Sequence, residues 1–262
     1  MTVTEMSLEF DLLYDNISSN GAPGLNEYEK SVLLTKAQDD LVREYAESFN
    51  KLQKGFEASE SRRVQLRELI VPYRTTTGYS QVNVGVSPDS KFFSIPTDVY
   101  SIIWEEVELT DADACINGLK VGVIPSTHDE YNVMKKSPFR KPNKRKAWRF
   151  DVNELPKQDI IGDEVNSLAA DSPMVEILAA YDISAYKMRY IKEPEPIILV
   201  NFEDDSELTG LGLTVGGFNT QRGTELNSRV HRLIVDRAVE LAIRGYRENS
   251  LQANVELNNR NV

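Results

Sequence analysis

The chain holds two histidines, His128 and His231, and one cysteine, Cys115. That stock cannot fill the four Cys or His positions of a structural zinc site. It also rules out an intrachain disulfide framework and suits a reducing compartment. His231 falls on the apolar arc of a helix, where a hydrogen-bonded core histidine is expected. His128 opens a short helix beside Asp129 and Glu130, which reads as an exposed polar helix end. The glycine-rich stretch GGFNTQRGTE lacks both the Lys-Ser/Thr of a P-loop and the G-x-G-x-x-G spacing of a dinucleotide site. No G-x-S-x-G or H-E-x-x-H motif occurs. With 41 Asp and Glu residues, no carboxylate pair stands out as an acid–base couple. The expectation is therefore no catalytic residue, no cofactor, no metal and no enzymatic activity.

One local outlier remains. Lys135, Lys136, Arg140, Lys141, Lys144, Arg145, Lys146 and Arg149 fall within fifteen residues that contain no acid, in a chain whose net charge is −11. Even mixing of charge does not give this. The run reads as a solvated loop, as a contact for an acidic partner, or as a phosphate-contacting patch for nucleic acid. Pro138 and Pro142 stiffen it.

The elements that must position this loop follow from periodicity. Residues 1–24 read as a flexible leader, with SSNGAPG as a break. Asn26 and Glu29 have capping-box spacing. They open a helix to Gly55, ~43 Å long at 1.5 Å per residue, with Leu34, Ala37, Leu41, Val42, Tyr45, Phe49 and Leu52 on one face. A second helix, 59–70, turns Leu66, Leu69 and Ile70 inward and Arg62, Arg63 and Arg67 outward, and Pro72 stops it. From Tyr79 the period changes to that of strands. Alternation over 81–86, then KFFSI, SIIWEEVEL, Leu119–Ile124, AWRFDV and PIILVNF read as strands, and LTGLGLTVGGF as a glycine-rich strand or hairpin. MVEILAAY and AYKMRYI read as an antiparallel pair around Asp182. Thr127 and Glu130 cap a short helix, and 153–172 is a polar linker.

The strongest pattern closes the chain. Over 227–245, Val230, His231, Ile234, Val235, Ala238, Val239, Leu241, Ala242 and Gly245 sweep about half the helix at ~100° per residue, and Arg229, Arg232, Asp236, Glu240 and Arg244 take the other half. An arc this wide needs more than one neighbour. Asn227 is the expected N-cap, Leu241 is expected to be buried, and Ala238, Ala242 and Gly245 would let another backbone come close. The fold class expected is α+β: a helical bundle from the N-terminal helices (25–76) and the C-terminal helix (225–248), with a β-rich insertion at 77–224 and a polar tail at 249–262.

The totals agree with a folded protein of ordinary composition. Of 262 residues, 40% are hydrophobic and 27% charged. The acidic balance disfavours general adhesion to nucleic acid or to an anionic membrane. The start MTVTEMSLEF has no basic region, so no signal peptide is expected. No apolar run approaches the ~20 residues of a membrane span.

Three blocks, THDEYNVMKKSPFRKPNKRKAWRFDV, AYKMRYIKEPEPIILV and TELNSRVHRLIVDRAVELAIRGY, resemble the signature blocks of a structural protein family of crAss-like bacteriophages, as does the early helix LNEYEKSVLLTKAQDDLVREYAESFN. The resemblance covers, with gaps, about Leu25 to Tyr246. It implies a virion protein of the neck, a head–tail connector ring between portal and tail, usually twelvefold, assembled in the host cytoplasm. The partners it implies are copies of the chain itself, the portal protein and neighbouring neck or tail rings. Packaged DNA would pass through the ring with weak contact at most, and no membrane is involved. A ring built head to tail needs two unlike faces on each subunit. Arg140, Lys141, Lys144, Arg145 and Lys146 on one side, and Glu203, Asp204, Asp205 and Glu207 on the other, are candidates for them. A DNA-associated or packaging protein that uses the basic loop 135–149 is the alternative.

Overall fold

The computed structural model describes residues 1–18, 24–46, 59–80, 85–112, 115–137, 139–152, 173–204 and 208–260. The chain divides into two compact units. Met1–Leu69 and Pro194–Val262 make a helical unit, and Ile70–Glu193 make a β unit. The architecture is mixed α+β, with N-terminal helices packed on the C-terminal helix and an eight-stranded sheet between them in sequence.

The helical unit begins with α1 (Val3–Ser18), where the sequence reads a flexible leader. Thr2 caps it: its Oγ1 accepts from the Glu5 amide at 3.2 Å while the Thr2 amide donates to Glu5 Oε2 at 2.8 Å. Met6, Phe10 and Tyr14, spaced by four, are buried. The stripe is hard to see in LEFDLLYD because Leu8 and Leu12 lie on the opposite, exposed face. α2 (Glu27–Ala46) starts from the expected capping box, with Asn26 Oδ1 accepting from the Glu29 amide at 2.8 Å and Glu29 Oε2 from the Asn26 amide at 3.0 Å. Lys30 of α2 ties the two helices, with its Nζ 2.8 Å from Asp11 and 2.9 Å from Glu27. Leu34, Ala37, Leu41 and Val42 are buried as their spacing predicts. Positions 47–55 of the expected helix lie outside the described residues. α3 is shorter than expected, Glu60–Gln65, and a 3-10 turn over Arg67–Leu69 follows. Leu66 and Leu69 are buried, but so is Arg62, expected outward.

The closing helix, α5 (His231–Arg260), packs against both α1 and α2, as its wide arc requires. Val230, Ile234, Val235, Ala238 and Val239 are buried. Two details differ from the helical wheel. Leu241 and Ala242 are only half-buried, and Gly245 is exposed with open space where a Cβ would stand. Of Ala238, Ala242 and Gly245, only Ala238 is buried. Asn227 also does not cap α5. It makes a preceding turn, accepting from the Arg229 amide through Oδ1 and from the Val230 amide through its carbonyl. His231 is the hydrogen-bonded core histidine expected, with Nε2 2.9 Å from the Leu226 carbonyl and Nδ1 3.0 Å from the Met1 amino group.

PIILVNF, expected as a strand, forms only an isolated bridge between Ile198 and Arg222. Its backbone is claimed instead by a polar stripe on α2. Ser31 Oγ accepts from the Leu199 amide at 3.0 Å, Thr35 Oγ1 from the Ile197 amide at 3.1 Å, and Gln38 Nε2 donates to the Glu195 carbonyl at 2.8 Å. These residues sit at i, i+4 and i+7, one face of a helix. The glycine-rich segment follows as turns. Gly216 and Gly217 both have positive φ and close a tight reversal between Val215 and Phe218, a conformation other residues rarely adopt.

The β unit is one sheet of β1 (Ile70–Thr75), β2 (Gly78–Ser80), β3 (Ser90–Ser94), β4 (Val99–Thr110), β5 (Lys120–Pro125), β6 (Lys146–Val152), β7 (Met174–Leu178) and β8 (Asp182–Lys192). Their spatial order is β1-β8-β4-β5-β6-β7-β3-β2. Pro72, expected to stop a helix, lies in edge strand β1, where its missing N–H is tolerated. The expected β7–β8 hairpin does not form. β7 pairs with β3 and β6, and β8 with β1 and β4. Every residue of β7 is buried, so the strand needs cover on both faces and a neighbour on both edges. Register shifts along the β4–β8 pairing bend the sheet. It curls around Phe93, Val107, Leu109, Val121, Ala147, Val175, Ile177, Ile183, Tyr186 and Met188. The alternation at 81–84 and the linker 153–172 lie outside the described residues.

Polar groups also enter this interior. Glu105 of β4 accepts from the Tyr186 hydroxyl of β8 at 2.5 Å and pairs with Arg149 of β6 at 2.7 Å. Burial, then the neighbouring Glu105 carboxylate, push the Tyr186 hydroxyl far above its ordinary range. Burial and the Asp98 hydrogen bond push Tyr190 up to about 12. Burial pulls the Arg149 guanidinium down, but Glu105 and Asp151 more than offset it, and its pKa rises.

Two outcomes are expected. Ile234→Ala should cost ~2–5 kcal/mol and the exposed Glu240→Ala under ~0.5 kcal/mol, read from denaturant melts, with half-buried Leu241→Ala in between. The second concerns pH. Tyr186 and Tyr190 titrate higher in the folded than in the unfolded chain, so their contribution is intact below pH ~10 and lost as pH rises through the folded values. Unfolding free energy should fall with pH above ~10, and Tyr186→Phe should flatten that fall by up to ~1.4 kcal/mol per pH unit, measured by urea titration at a series of alkaline pH values.

Candidate interaction surface

The basic run is placed by topology. β5 and β6 are the sheet's parallel pair, and parallel neighbours need a crossover connection. That connection is α4 (His128–Met134) and the loop from Lys135 to Arg145. α4 carries the expected capping box: Thr127 Oγ1 accepts from the Glu130 amide at 3.2 Å, and Glu130 Oε2 from the Thr127 amide at 3.1 Å. Tyr131 and Met134 pack on Trp148, Phe150 and Leu178 on the outer face of β6 and β7. The Tyr131 hydroxyl donates to the Val86 carbonyl at 2.9 Å. His128 is exposed and stacks on Phe150, with ring centroids 5.5 Å apart. Beyond α4 the loop is folded by its own backbone. The Ser137 amide donates to Met134, the Arg140 amide to Ser137, and Asn143 and Lys146 exchange both backbone hydrogen bonds. Asn143 Oδ1 also accepts from the Arg145 amide at 2.8 Å.

On this crossover Lys135, Lys136, Arg140, Lys141, Lys144 and Arg145 are exposed, and Lys146 is half-buried at the start of β6. Among the described residues none of these seven is ion-paired to a carboxylate. Two cations lie over aromatic rings instead: Lys135 over Tyr131 at 5.5 Å and Lys144 over Tyr181 at 5.9 Å. Arg149 separates from the cluster, because it turns inward to Glu105. Pro138 lies outside the described residues.

Sequence reasoning missed the apolar component of this surface. Phe139 is 89% exposed and Val133 72%. The signal was present: a phenylalanine between two prolines in a run of cations has no core periodicity to obey. The acidic candidates lie in the helical unit. Glu203 and Asp204 are exposed, and each accepts a 2.8 Å hydrogen bond from a nearby amide side chain, Asn219 and Asn201 respectively. Asp205 and Glu207 lie outside the described residues. Among the described residues no group of three or more His, Cys, Asp or Glu is arranged to hold a metal ion, and no helix is long and apolar enough to cross a membrane.

Residues 1–254 match the family of the phage tail ring protein 3/4 of crAss-like phages. The chain belongs to this family. It is 37% identical over 261 residues to ring protein 4/5 of Bacteroides phage crAss001, an alignment that spans 99% of each chain. It is 35% identical over 245 residues to ring protein 3 of the same phage, covering 93% of this chain and 95% of the relative. Membership of a structural phage tail ring family implies a non-enzymatic role.

The crossover's rigidity depends on the α4 cap. Thr127→Ala removes one half of it and is expected to cost ~0.5–2 kcal/mol. Hydrogen exchange should show faster exchange of the amides at 128–134, with those of β4 and β8 unchanged.

Proposed function

We propose that the chain forms a homo-oligomeric ring in the virion neck of a crAss-like phage, a connector between portal and tail, with twelve copies to match a twelvefold portal. Family membership over 254 residues supports the ring. The observation that carries the contact chemistry is the crossover: seven cations with no carboxylate partner among the described residues, held on a capped helix and a hydrogen-bonded loop. In this reading Arg140, Lys141, Lys144, Arg145 and Lys146 meet carboxylates of a neighbouring subunit or of an adjoining ring, with Glu203, Asp204 and Asp205 among the candidates. Neighbouring neck or tail ring proteins and the portal are the other partners. A preformed loop loses little ordering entropy on docking. Duplex DNA is the competing partner for these cations, but a net charge of −11 opposes tight DNA contact.

Exposed charges act mostly on association rate and specificity. Replacing Arg140, Lys144 and Arg145 together by Glu should slow ring assembly at low salt, followed by light scattering and native mass spectrometry. The defect should shrink as salt rises, given a Debye length of ~10 Å at 0.1 M, and the monomer's melting temperature should stay within about 1 °C. Assembly unchanged across the salt series, or a gel shift showing tight duplex binding that the substitutions abolish, would remove the reading.

A further inference from the structure

The most exposed apolar side chains of the two units carry opposite electrostatic surroundings. In the β unit, Val133 and Phe139 stand out among Lys135, Lys136, Arg140 and Lys141. In the helical unit, Leu8 and Leu12 of α1 are 66% and 67% exposed. With Thr4, Glu5 and Asp15 they form one outward stripe, since positions 5, 8, 12 and 15 stand at i, i+3, i+7 and i+10 and Thr4 lies one turn before Leu8. The other face of α1 is already used, with Met6, Phe10 and Tyr14 buried. All four charged residues of α1, Glu5, Glu9, Asp11 and Asp15, are acidic. Two leucines one turn apart on an acidic helix, and a phenylalanine on an acid-free basic loop, are complementary in both polarity and charge.

We infer that the outer face of α1, centred on Leu8 and Leu12, docks the Val133–Phe139 crossover of a second copy of this chain. The inference rests on the ring assembly proposed above and names the two faces that make it. Such a contact is heterologous: each subunit gives its crossover to one neighbour and its α1 to the other, which is how a closed ring propagates. Phe139 would be the buried anchor, and the cations around it would form the polar rim facing Asp15 and its neighbours. Glu5, Glu9 and Asp11 of α1 are engaged within the chain, as Glu203 and Asp204 are by Asn219 and Asn201. α1 is favoured as the acceptor because it sets two exposed leucines, one turn apart, beside exposed Asp15, which has no ion pair among the described residues.

The test is site-specific photo-crosslinking of the full-length protein carrying Phe139→p-benzoylphenylalanine, with the oligomer's mass and the linked peptides read by mass spectrometry. The expected result is a crosslink between copies that maps to residues 3–18. A crosslink between copies that maps elsewhere, such as to 203–211, overturns the α1 assignment and leaves the ring intact. No species larger than the monomer overturns the ring reading as well. Two sets of variants check the pairing. Leu8→Ala with Leu12→Ala should weaken assembly at least tenfold with an unshifted melting temperature, because both side chains are exposed in the monomer. Arg140→Glu should weaken assembly, and adding Asp15→Lys should restore part of the loss; if the double charge swap is as weak as the two single changes combined, the faces do not meet.

Discussion

Thr76 and Thr77 alone join β1 to β2, yet these strands lie at opposite ends of the eight-stranded order. Three residue steps from Thr75 to Gly78 reach at most about 11 Å. The two edges of the sheet must therefore approach one another, and the sheet must curl. Two further links impose the same demand. Ile95–Asp98 connects β3 to β4, and Ala179–Tyr181 connects β7 to β8, although neither pair is adjacent. The Tyr73 hydroxyl of β1 donates to the Ser94 carbonyl at the end of β3, at 3.0 Å. A curled sheet has an inner face shielded from water, and there the Glu105 carboxylate takes both the Tyr186 hydroxyl and the Arg149 Nη1 as partners. It also has an outer face, and α4 covers part of it. The crossover that displays the basic run is thus bolted to a wall whose curvature is fixed by links two to four residues long.

What the sequence revealed follows the reach of each signal. Capping boxes are local, and those at Asn26 and Thr127 stand where their spacing placed them. Strands with a clear alternation, such as β4 and β6, were legible as strands. Their partners were not, because pairing is set by three-dimensional closure rather than by proximity along the chain. The β7–β8 segment shows this: two β-rich runs around Asp182 look like a hairpin, but the curled sheet puts them in different parts of the strand order. The closing helix was legible in its arc and less so in its ends. Its C-terminal half continues past Gly245 to Arg260, since a glycine lowers helix propensity by only about 1 kcal/mol.

The harder misses concern residues whose partners lie far away in sequence. Ser31, Thr35 and Gln38 look like ordinary solvated positions beside Leu34, Ala37 and Leu41. They become a buried polar clasp only because the segment 195–199 returns to α2 and needs its backbone groups satisfied. The same segment's apolar run then reads as a strand although it makes no ladder. α1 escaped notice for a related reason. Apolar residues on both of its faces blur the amphipathic pattern, and one of those faces is left exposed in the monomer.

That exposed face of α1 bears on how copies of the chain meet. A protein that functions as a monomer has cause to place polar residues at Leu8, Leu12, Val133 and Phe139, since none of them contributes to its own core. Single exposed apolar residues need no explanation, but here they coincide with a charge imbalance that is local and of opposite sign: no base in α1, no acid from Lys135 to Arg149. Apolar contact and charge then divide the work of assembly. The leucines and phenylalanine would supply affinity once water leaves the contact. The charges would set the approach and disfavour like-to-like pairing, because two crossovers or two α1 helices brought together would repel. Repulsion of like faces excludes the two-fold dimers that would bring two crossovers or two α1 helices together, and a pairing of unlike faces is what a head-to-tail ring requires.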